Sequence, residues 1–394
     1  MWRCGKFSLP PGCPHVIEST EKYGEFKREE TMIVGVPKEI KEGETRVALT
    51  PEGTKQLMQN GHTILMEKGT GLKSGFTDKQ FRDCGATILP TADKVWKMAD
   101  LIIKVKEPLP TEFRHFRENQ LIFTYLHLAS APQLAKALCK SKVMAFGYET
   151  VETSEGELPL LIPMSEVAGR VATQVGTRLL HAISGDGKGL LLGGVTGTSR
   201  GIVTVVGGGV VGRNAAEVAA GLGAEVAILD INKDRLSFLK NHFNGRVHCL
   251  ASTPDTLTKW VSKSDLLIGA VLVAGDKAPK VVTKKMIQGM QPGSVIVDVA
   301  IDQGGCMETS KPTSHKKPTY LKYNVLHYCV PNMPALTPKT STEALTSVTF
   351  PYVLKLASMG AEKAEEDKML GSGLQTKNGK VVHPVVSKLF KSLS

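Results

Sequence analysis

The segment from Gly201 to Gly212 constrains this chain more than any other. It runs from an apolar strand into three consecutive glycines and out into a helical pattern. The spacing Gly207-x-Gly209-x-x-Gly212 gives the glycines separate tasks: a tight turn, a backbone that a pyrophosphate can approach, and close packing of helix on sheet. Val210 and Val211 open the helix, and a pyrophosphate would rest on its N-terminus, where unpaired N–H groups favour an anion. Ala215, Ala216, Val218, Ala219 and Leu222 recur at helical spacing, Gly221 and Gly223 end the helix, and Glu225 to Leu229 form a second strand closing on Asp230. The acid lies about 20 residues past the loop, where a ribose 2′-hydroxyl finds its acceptor, and the same carboxylate repels a 2′-phosphate. NAD is therefore expected rather than NADP.

At 394 residues the chain is too long for one ordinary core, which points to two domains. The most apolar long stretch, Gly189 to Gly212, is cut by Arg200 and crowded with glycines, so no membrane span is expected. A formal net charge of +11 suits anionic ligands such as dinucleotides and carboxylates, although it reads first as a solvated basic surface. Basic residues are scattered apart from Lys311 to Lys322, and no basic stripe interleaved with aromatics points to nucleic acid. The seven cysteines are widely spaced and form no CxxC pair, so they read as free thiols of a reducing, cytoplasmic compartment, and no ligand cluster calls for a metal.

Residues 1–31 show neither helical nor strand period and read as a poorly ordered extension. From Met32 strands and helices alternate. Strands are expected at Ile33 to Val36, His62 to Glu67, Leu101 to Val105, Leu121 to Leu126 and Val143 to Tyr148, and helices at Pro51 to Asn60, Ala92 to Met98 and Pro132 to Lys140. Thr50 and Pro51 supply an N-cap and a first helical position. Such alternation implies a parallel α/β domain, and with no phosphate loop of its own it should hold the other reactant. Pro163 to His181 is helical, with a stripe at Val167, Val171, Val175 and Leu179 that suits a bridge between domains. Past Asp230, strands at Arg246 to Ala251, Leu266 to Val273 and Ser294 to Ile301, with a helix at Thr283 to Met290, complete a doubly wound Rossmann sheet. Ser341 to Met359 is helical with an interruption at Pro351, long enough to return to the first domain, and the chain from Ala361 is polar.

Ligands of open α/β sheets sit beyond the carboxyl ends of strands, which selects four polar residues. Arg46 follows the polar turn Lys41 to Thr45 and has a planar fork suited to a carboxylate, although by itself it reads as an ordinary surface arginine. Lys106, just past a strand and before Glu107-Pro108, is placed to polarise a carbonyl or hold a carboxylate, although by itself it reads first as part of a solvated Lys-Glu rim. His127, at the end of the Leu121 to Leu126 strand, is placed for proton transfer near neutral pH, although a buried structural histidine fits that residue alone. Asp302, on one face with Ile296, Asp298 and Ala300, would order water or accept a proton at the strand exit, while Asp298 reads as a structural carboxylate.

These residues lie within motifs that resemble the alanine dehydrogenase family: Val36-Pro37-Lys38-Glu39-Ile40 with Arg46-Val47-Ala48-Leu49-Thr50-Pro51, Lys104-Val105-Lys106-Glu107-Pro108, Thr124-Tyr125-Leu126-His127-Leu128, Pro163-Met164-Ser165-Glu166-Val167-Ala168-Gly169-Arg170, Ala300-Ile301-Asp302-Gln303-Gly304-Gly305 and Asn332-Met333-Pro334. Several are shared with a relative, the transhydrogenase α-subunit. The chain departs from the family pattern at Thr196, Ala274, Asp276 and Pro331. The resemblance implies that Arg46 and Lys106 bind substrate, that His127 and Asp302 are catalytic, and that Ser165, Asp230, Ser252, Asp302, Asn332 and Met333 line the cofactor site with the glycine loop. It also implies an NAD-binding domain at 161–338 inserted into a substrate domain of 32–160 and 339–394, and a homohexamer. The expected reaction is NAD-dependent, reversible oxidative deamination of L-alanine to pyruvate and ammonium. Its rivals are a transhydrogenase-like NAD(H)-binding subunit and a catalytically silent NAD-binding protein.

Because residues 1–31 carry no period, their deletion should leave thermal melting and turnover almost unchanged. A large loss of either in the truncated chain would show that the extension packs or assembles.

Overall fold

The computed structural model describes residues 31–182, 186–271, 277–390 and 393. The extension, apart from Thr31, lies outside the described residues, and so do Ala274, Asp276 and the end of the strand expected to reach Val273.

The chain opens with β1 (Ile33–Val36), α1 (Pro51–Gln59), β2 (Thr63–Glu67), α2 (Asp78–Asp83), β3 (Thr87–Leu89), α3 (Ala92–Met98), β4 (Leu101–Ile103), β5 (Leu121–Thr124), α4 (Pro132–Lys140) and β6 (Met144–Gly147). Local chemistry sets the helix starts. Thr50 accepts the Gly53 N–H at the head of α1, and Thr77 and Gln80 form a reciprocal capping box at α2. Next come α5 (Ile162–Leu180), β7 (Ile202–Val206), α6 (Val210–Gly221), β8 (Glu225–Asp230), α7 (Lys233–Phe243), β9 (His248–Ala251), α8 (Pro254–Lys263), β10 (Leu266–Gly269), α9 (Lys284–Gln288), β11 (Val295–Asp298), β12 (Thr319–Lys322) and β13 (Val325–Tyr328). The chain closes with α10 (Pro338–Glu366), α11 (Lys368–Ser372), β14 (Leu374–Lys377) and β15 (Lys380–Val381).

These strands build two sheets, ordered β15-β14-β6-β5-β4-β1-β2-β3 and β12-β13-β11-β10-β7-β8-β9. Both are doubly wound. In each, six parallel strands grow outward in two directions from the first, so the order reverses between β1 and β4 in one sheet and between β7 and β10 in the other. Such reversals open a crevice at the carboxyl ends of the strands. The edge strands β14, β15 and β12 are antiparallel. Among the described residues no helix is long and apolar enough to cross a membrane.

α5 joins the two halves. Val167 and Val171 are buried, and Val175 and Leu179 pack against the same core, as the spacing predicts. The helix lies against α6 so closely that a Cβ on Gly169 would stand 2.1 Å from the Val211 carbonyl oxygen, and one on Gly176 would stand 2.4 Å from Leu266. It also touches α10.

Several elements depart from the sequence reading. β5 ends at Thr124 rather than Leu126, and β4 at Ile103 rather than Val105. The strand expected over Ser294 to Ile301 stops at Asp298, whose carboxylate accepts the N–H groups of Ala300 and Cys306 and turns Val299–Gln303 into a 3-10 helix. Ala300 and Asp302 therefore do not continue a strand face. α10 runs through Pro351 and breaks instead at Gly360, whose φ of 74° and ψ of 176° lie in a region closed to other L residues. The polar chain from Ala361 finishes α10 and then supplies β14 and β15 to the edge of the first sheet.

Adding one methyl group at Gly169 forces α5 away from α6. Gly169→Ala should lower unfolding stability by about 1–3 kcal/mol, the usual cost of overpacking, as measured by urea denaturation.

Candidate active site

The glycine loop shows a distinct use for each glycine. Gly207 takes a φ of 102°, and a Cβ there would meet the Ala270 carbonyl oxygen at 2.5 Å. A Cβ on Gly212 would stand 1.8 Å from the Gly207 oxygen, so only glycine lets α6 begin this close to the loop. Gly209, the N-cap of α6, faces open space within 4 Å, and the N-terminus headed by Val210 and Val211 stays approachable. Asp230 ends β8 beside this loop. Its Oδ2 accepts the Gly208 N–H at 2.6 Å, and its Oδ1 accepts the Asn232 N–H at 2.8 Å. Each oxygen keeps a second lone pair, which suits the hydroxyls of a ribose. Ser252 donates its N–H to the Asp230 carbonyl at 2.9 Å and so lies alongside. Open backbone at a helix start and an available carboxylate at the next strand end fit a dinucleotide. Ser165 sits in the first turn of α5, one turn before the Gly169 contact with α6.

Across the cleft, Arg46 is 3% exposed and its guanidinium is already engaged. Nε donates to Glu44 Oε1 at 2.7 Å and Nη2 to Glu44 Oε2 at 2.5 Å, so a carboxylate two residues away holds one edge of the fork. Nη2 also donates to Asn332 Oδ1 at 2.9 Å, and Asn332 Nδ2 returns a bond to Glu44 Oε2 at 2.9 Å. Among the described residues Nη1 has only the Met164 thioether at 3.0 Å, a weak acceptor that a ligand carboxylate would outcompete. Burial would raise the Glu44 pKa, but the hydrogen bonds and charge of Arg46 bring it down to about 2. Met333, next to Asn332, is buried in the core.

Lys106 is half-buried beyond the end of β4. Burial first, and then repulsion from Arg46 and Lys41, push its pKa below the usual lysine value, with Asp302 and Glu44 pulling the other way. His127 lies three residues past β5 in a left-handed turn, φ 49° and ψ 36°, rather than at the strand end. Glu149 holds that turn by accepting the N–H groups of Leu126 and His127, the latter at 2.7 Å. The His127 Nδ1 stands 3.2 Å from Glu107 Oε2, and Lys41 pairs with the other oxygen of Glu107. Burial would raise the Glu107 pKa, but His127 and Lys41 hold it at about 2. An ionised Glu107 only accepts, so Nδ1 carries a proton, and Nε2 is the nitrogen placed to act as a base. Asp302 is exposed, and its Oδ2 accepts the Asn332 N–H at 3.4 Å. Asp298 is fully buried and bonded to Ala300, Cys306 and Ser310, a structural carboxylate.

Arg46, Asn332 and Asp302 are thus linked through direct contacts, with Lys106 in electrostatic reach of Arg46 and Asp302. Sequence reasoning missed Glu44, Glu107 as the partner of His127, Glu149 and Gly208. Glu44 and Glu107 had a visible signal, each a carboxylate within two residues of a selected cation. Glu149 had none, since it meets His127 only through the pairing of β5 with β6.

Two doubly wound sheets, one carrying a dinucleotide-type glycine loop and the other carrying Arg46, Lys106 and His127 past its strand ends, with Asn332 joining Arg46 to Asp302, define a nucleotide-dependent oxidoreductase architecture. Residues 35–168 match the model of the alanine dehydrogenase/PNT N-terminal domain and residues 172–384 that of the C-terminal domain, so the chain belongs to the alanine dehydrogenase/PNT family. It is 54% identical over 360 residues to an alanine dehydrogenase of Bacillus subtilis, spanning 91% of this chain and 94% of that protein. An alanine dehydrogenase of Methanococcus maripaludis is 51% identical over 359 residues, 91% of this chain and 96% of its own. A solved L-alanine dehydrogenase structure superposes with a TM-score of 0.89 at 48% identity, covering 92% of this chain and all of that one.

Glu44 should leave a signature in acid. Its pKa falls from an ordinary 4.5 to about 2 on folding, so its contribution is complete above pH 4.5 and is lost as the pH drops through 2. Glu44→Gln should flatten the stability curve in that window, followed by chemical denaturation. Glu44→Ala, which strands a buried guanidinium, should cost about 3–5 kcal/mol.

Proposed function

We propose that this chain catalyses the NAD-dependent, reversible oxidative deamination of L-alanine to pyruvate and ammonium. One observation carries the reading: Asn332 touches Arg46 on one side and Asp302 on the other, which brings the carboxylate-binding cation to the mouth of the dinucleotide sheet. Close relatives bearing the name alanine dehydrogenase support the choice of substrate. Residues 32–160 and 339–394 form the substrate domain of this proposal and residues 161–338 the NAD-binding domain, with Ser165, Gly207, Gly209, Val210, Val211, Gly212, Asp230, Ser252, Asp302, Asn332 and Met333 at the cofactor.

NAD, when bound, supplies the acceptor for the hydride that leaves Cα of alanine. The edge of Arg46 that now faces Met164 and Asn332 would exchange the weak thioether contact for the substrate carboxylate, which the ammonium of Lys106 also holds, and Lys106 steadies negative charge growing on the product oxygen. The Nε2 of His127 takes a proton from the amine as the imine forms and passes it to solvent, then takes one from the adding water and returns it to the nitrogen, so that ammonia leaves as the carbonyl forms. Asp302 orients that water, or ammonia in the reverse direction. Asp230 bonds the adenosine ribose and opposes a 2′-phosphate. A homohexamer in the cytoplasm completes the proposal, and the free state of Cys84, Cys139, Cys249, Cys306 and Cys329 suits a reducing compartment.

NADH formation with a panel of amino acids tests the reaction, and alanine should be the preferred substrate with NAD well ahead of NADP. Comparable catalytic efficiency with NADP would refute the role of Asp230. His127→Ala should reduce turnover by roughly a hundredfold to ten-thousandfold while NADH still binds, as loss of acid-base assistance requires. Near-normal turnover in that variant would make His127 a structural residue.

A further inference from the structure

We infer that Glu107 is the positioning residue of this site: its carboxylate sets the tautomer and ring orientation of His127, and Lys41 holds the carboxylate in place. The inference rests on the proposed role of His127 in proton transfer.

The backbone leaves the ring little freedom except rotation about its own side-chain bonds. His127 occupies left-handed space that a non-glycine residue rarely takes, and Glu149 fixes it there through the N–H groups of Leu126 and His127. Glu149 is itself held by Gln375, whose Nε2 donates to Oε1 at 3.1 Å. Tyr125 lies on one side, its ring 5.8 Å from the imidazole. Among the described residues the groups facing His127 are therefore Glu107 at Nδ1, Glu149 beneath the backbone and the Tyr125 ring. Glu107 is the member that contacts the ring nitrogen.

A surface ion pair would explain this contact only if it were exposed and mobile. The Glu107 side chain is 13% exposed, against 39% for both His127 and Lys41, so the carboxylate is the sheltered member, and both of its oxygens are committed, Oε2 to His127 and Oε1 to Lys41. Pro108 follows directly and stiffens the backbone that carries it. A carboxylate anchored in this way accepts from Nδ1–H and directs the Nε2 lone pair to the side of the ring away from it. It also steadies the imidazolium that forms when Nε2 takes a proton, the role an orienting acid has wherever an imidazole works as a base.

The test uses full-length Glu107→Gln, Glu107→Asp and His127→Ala. It reads kcat and KM for alanine, the pH profile of kcat/KM, and NADH binding by fluorescence titration. Glu107→Gln should lower kcat by at least roughly tenfold, part of the full acid-base contribution, and should leave the NADH dissociation constant unchanged. The limb of the profile that vanishes in His127→Ala should move to lower pH in Glu107→Gln, because removing an adjacent anion disfavours the imidazolium. Glu107→Asp should recover part of kcat. A wild-type kcat and pH profile in Glu107→Gln, with His127→Ala inactive, overturns this inference alone. Normal turnover in His127→Ala overturns the proton-transfer reading and the inference with it. If Glu107→Gln fails to bind NADH because it does not fold, Glu107→Asp decides: reduced kcat with intact NADH binding supports the inference, and wild-type kcat overturns it.

Discussion

The buried pair of Glu44 and Arg46 is the constraint on which the rest of the site depends. A guanidinium taken out of water must be compensated, and Glu44 does so from two residues away along one edge of the fork. That leaves the other edge directed at Met164 and Asn332, residues outside the first run of strands. Asn332 closes the triangle by bonding Glu44 as well. The contact that aims Arg46 is therefore also a contact between the two halves of the chain, so their relative placement and the orientation of the cation are coupled.

Around that contact the two sheets play matching parts. Each reverses its strand order once, and each reversal opens a crevice at the carboxyl ends of its strands. In one crevice the chain provides glycines and the start of a helix, which suit phosphates. The other receives Lys106 after β4 and His127 after β5. α5 fixes the placement of the second half because Gly169 lets it approach the α6 backbone and Gly176 lets it seat against the Leu266 side chain. A side chain at either position would move the cradle relative to the cations.

Much of this was legible in the sequence, and the exceptions have physical causes. The glycine loop reads correctly because φ, close packing and open approach are local requirements that only glycine meets at Gly207, Gly212 and Gly209. Strand ends read poorly where an apolar run outlasts its strand: Tyr125 and Leu126 are buried, yet β5 has already ended, because Glu149 draws the following N–H groups into a turn. Asp298 acts the same way on Val299–Gln303. The hairpin of β14 and β15 did carry a signal in Asn378-Gly379, both at positive φ. The β12 to β13 turn, Tyr323-Asn324, lacks the glycine that usually marks such a turn and was hidden. In the site, cations and an imidazole at strand ends were accessible to pattern reasoning, while Arg46 looked like an open fork because nothing in a linear reading shows that Glu44 folds back onto it.

The charges of the site divide into those committed to the fold and those left for a ligand. Glu44 is matched to Arg46, Glu107 to Lys41, and Glu149 to backbone N–H groups, and the first two stay ionised down to a pH of about 2. Lys106 has no carboxylate in direct contact among the described residues, and burial beside Arg46 depresses its pKa. A cation kept in that state gains most from an arriving anion, which relieves both its desolvation and its repulsion from Arg46. Any small carboxylate meets that requirement. The carboxylates Glu44 and Glu107 are thus committed to their own cations, and Lys106 is left able to gain from an arriving anion.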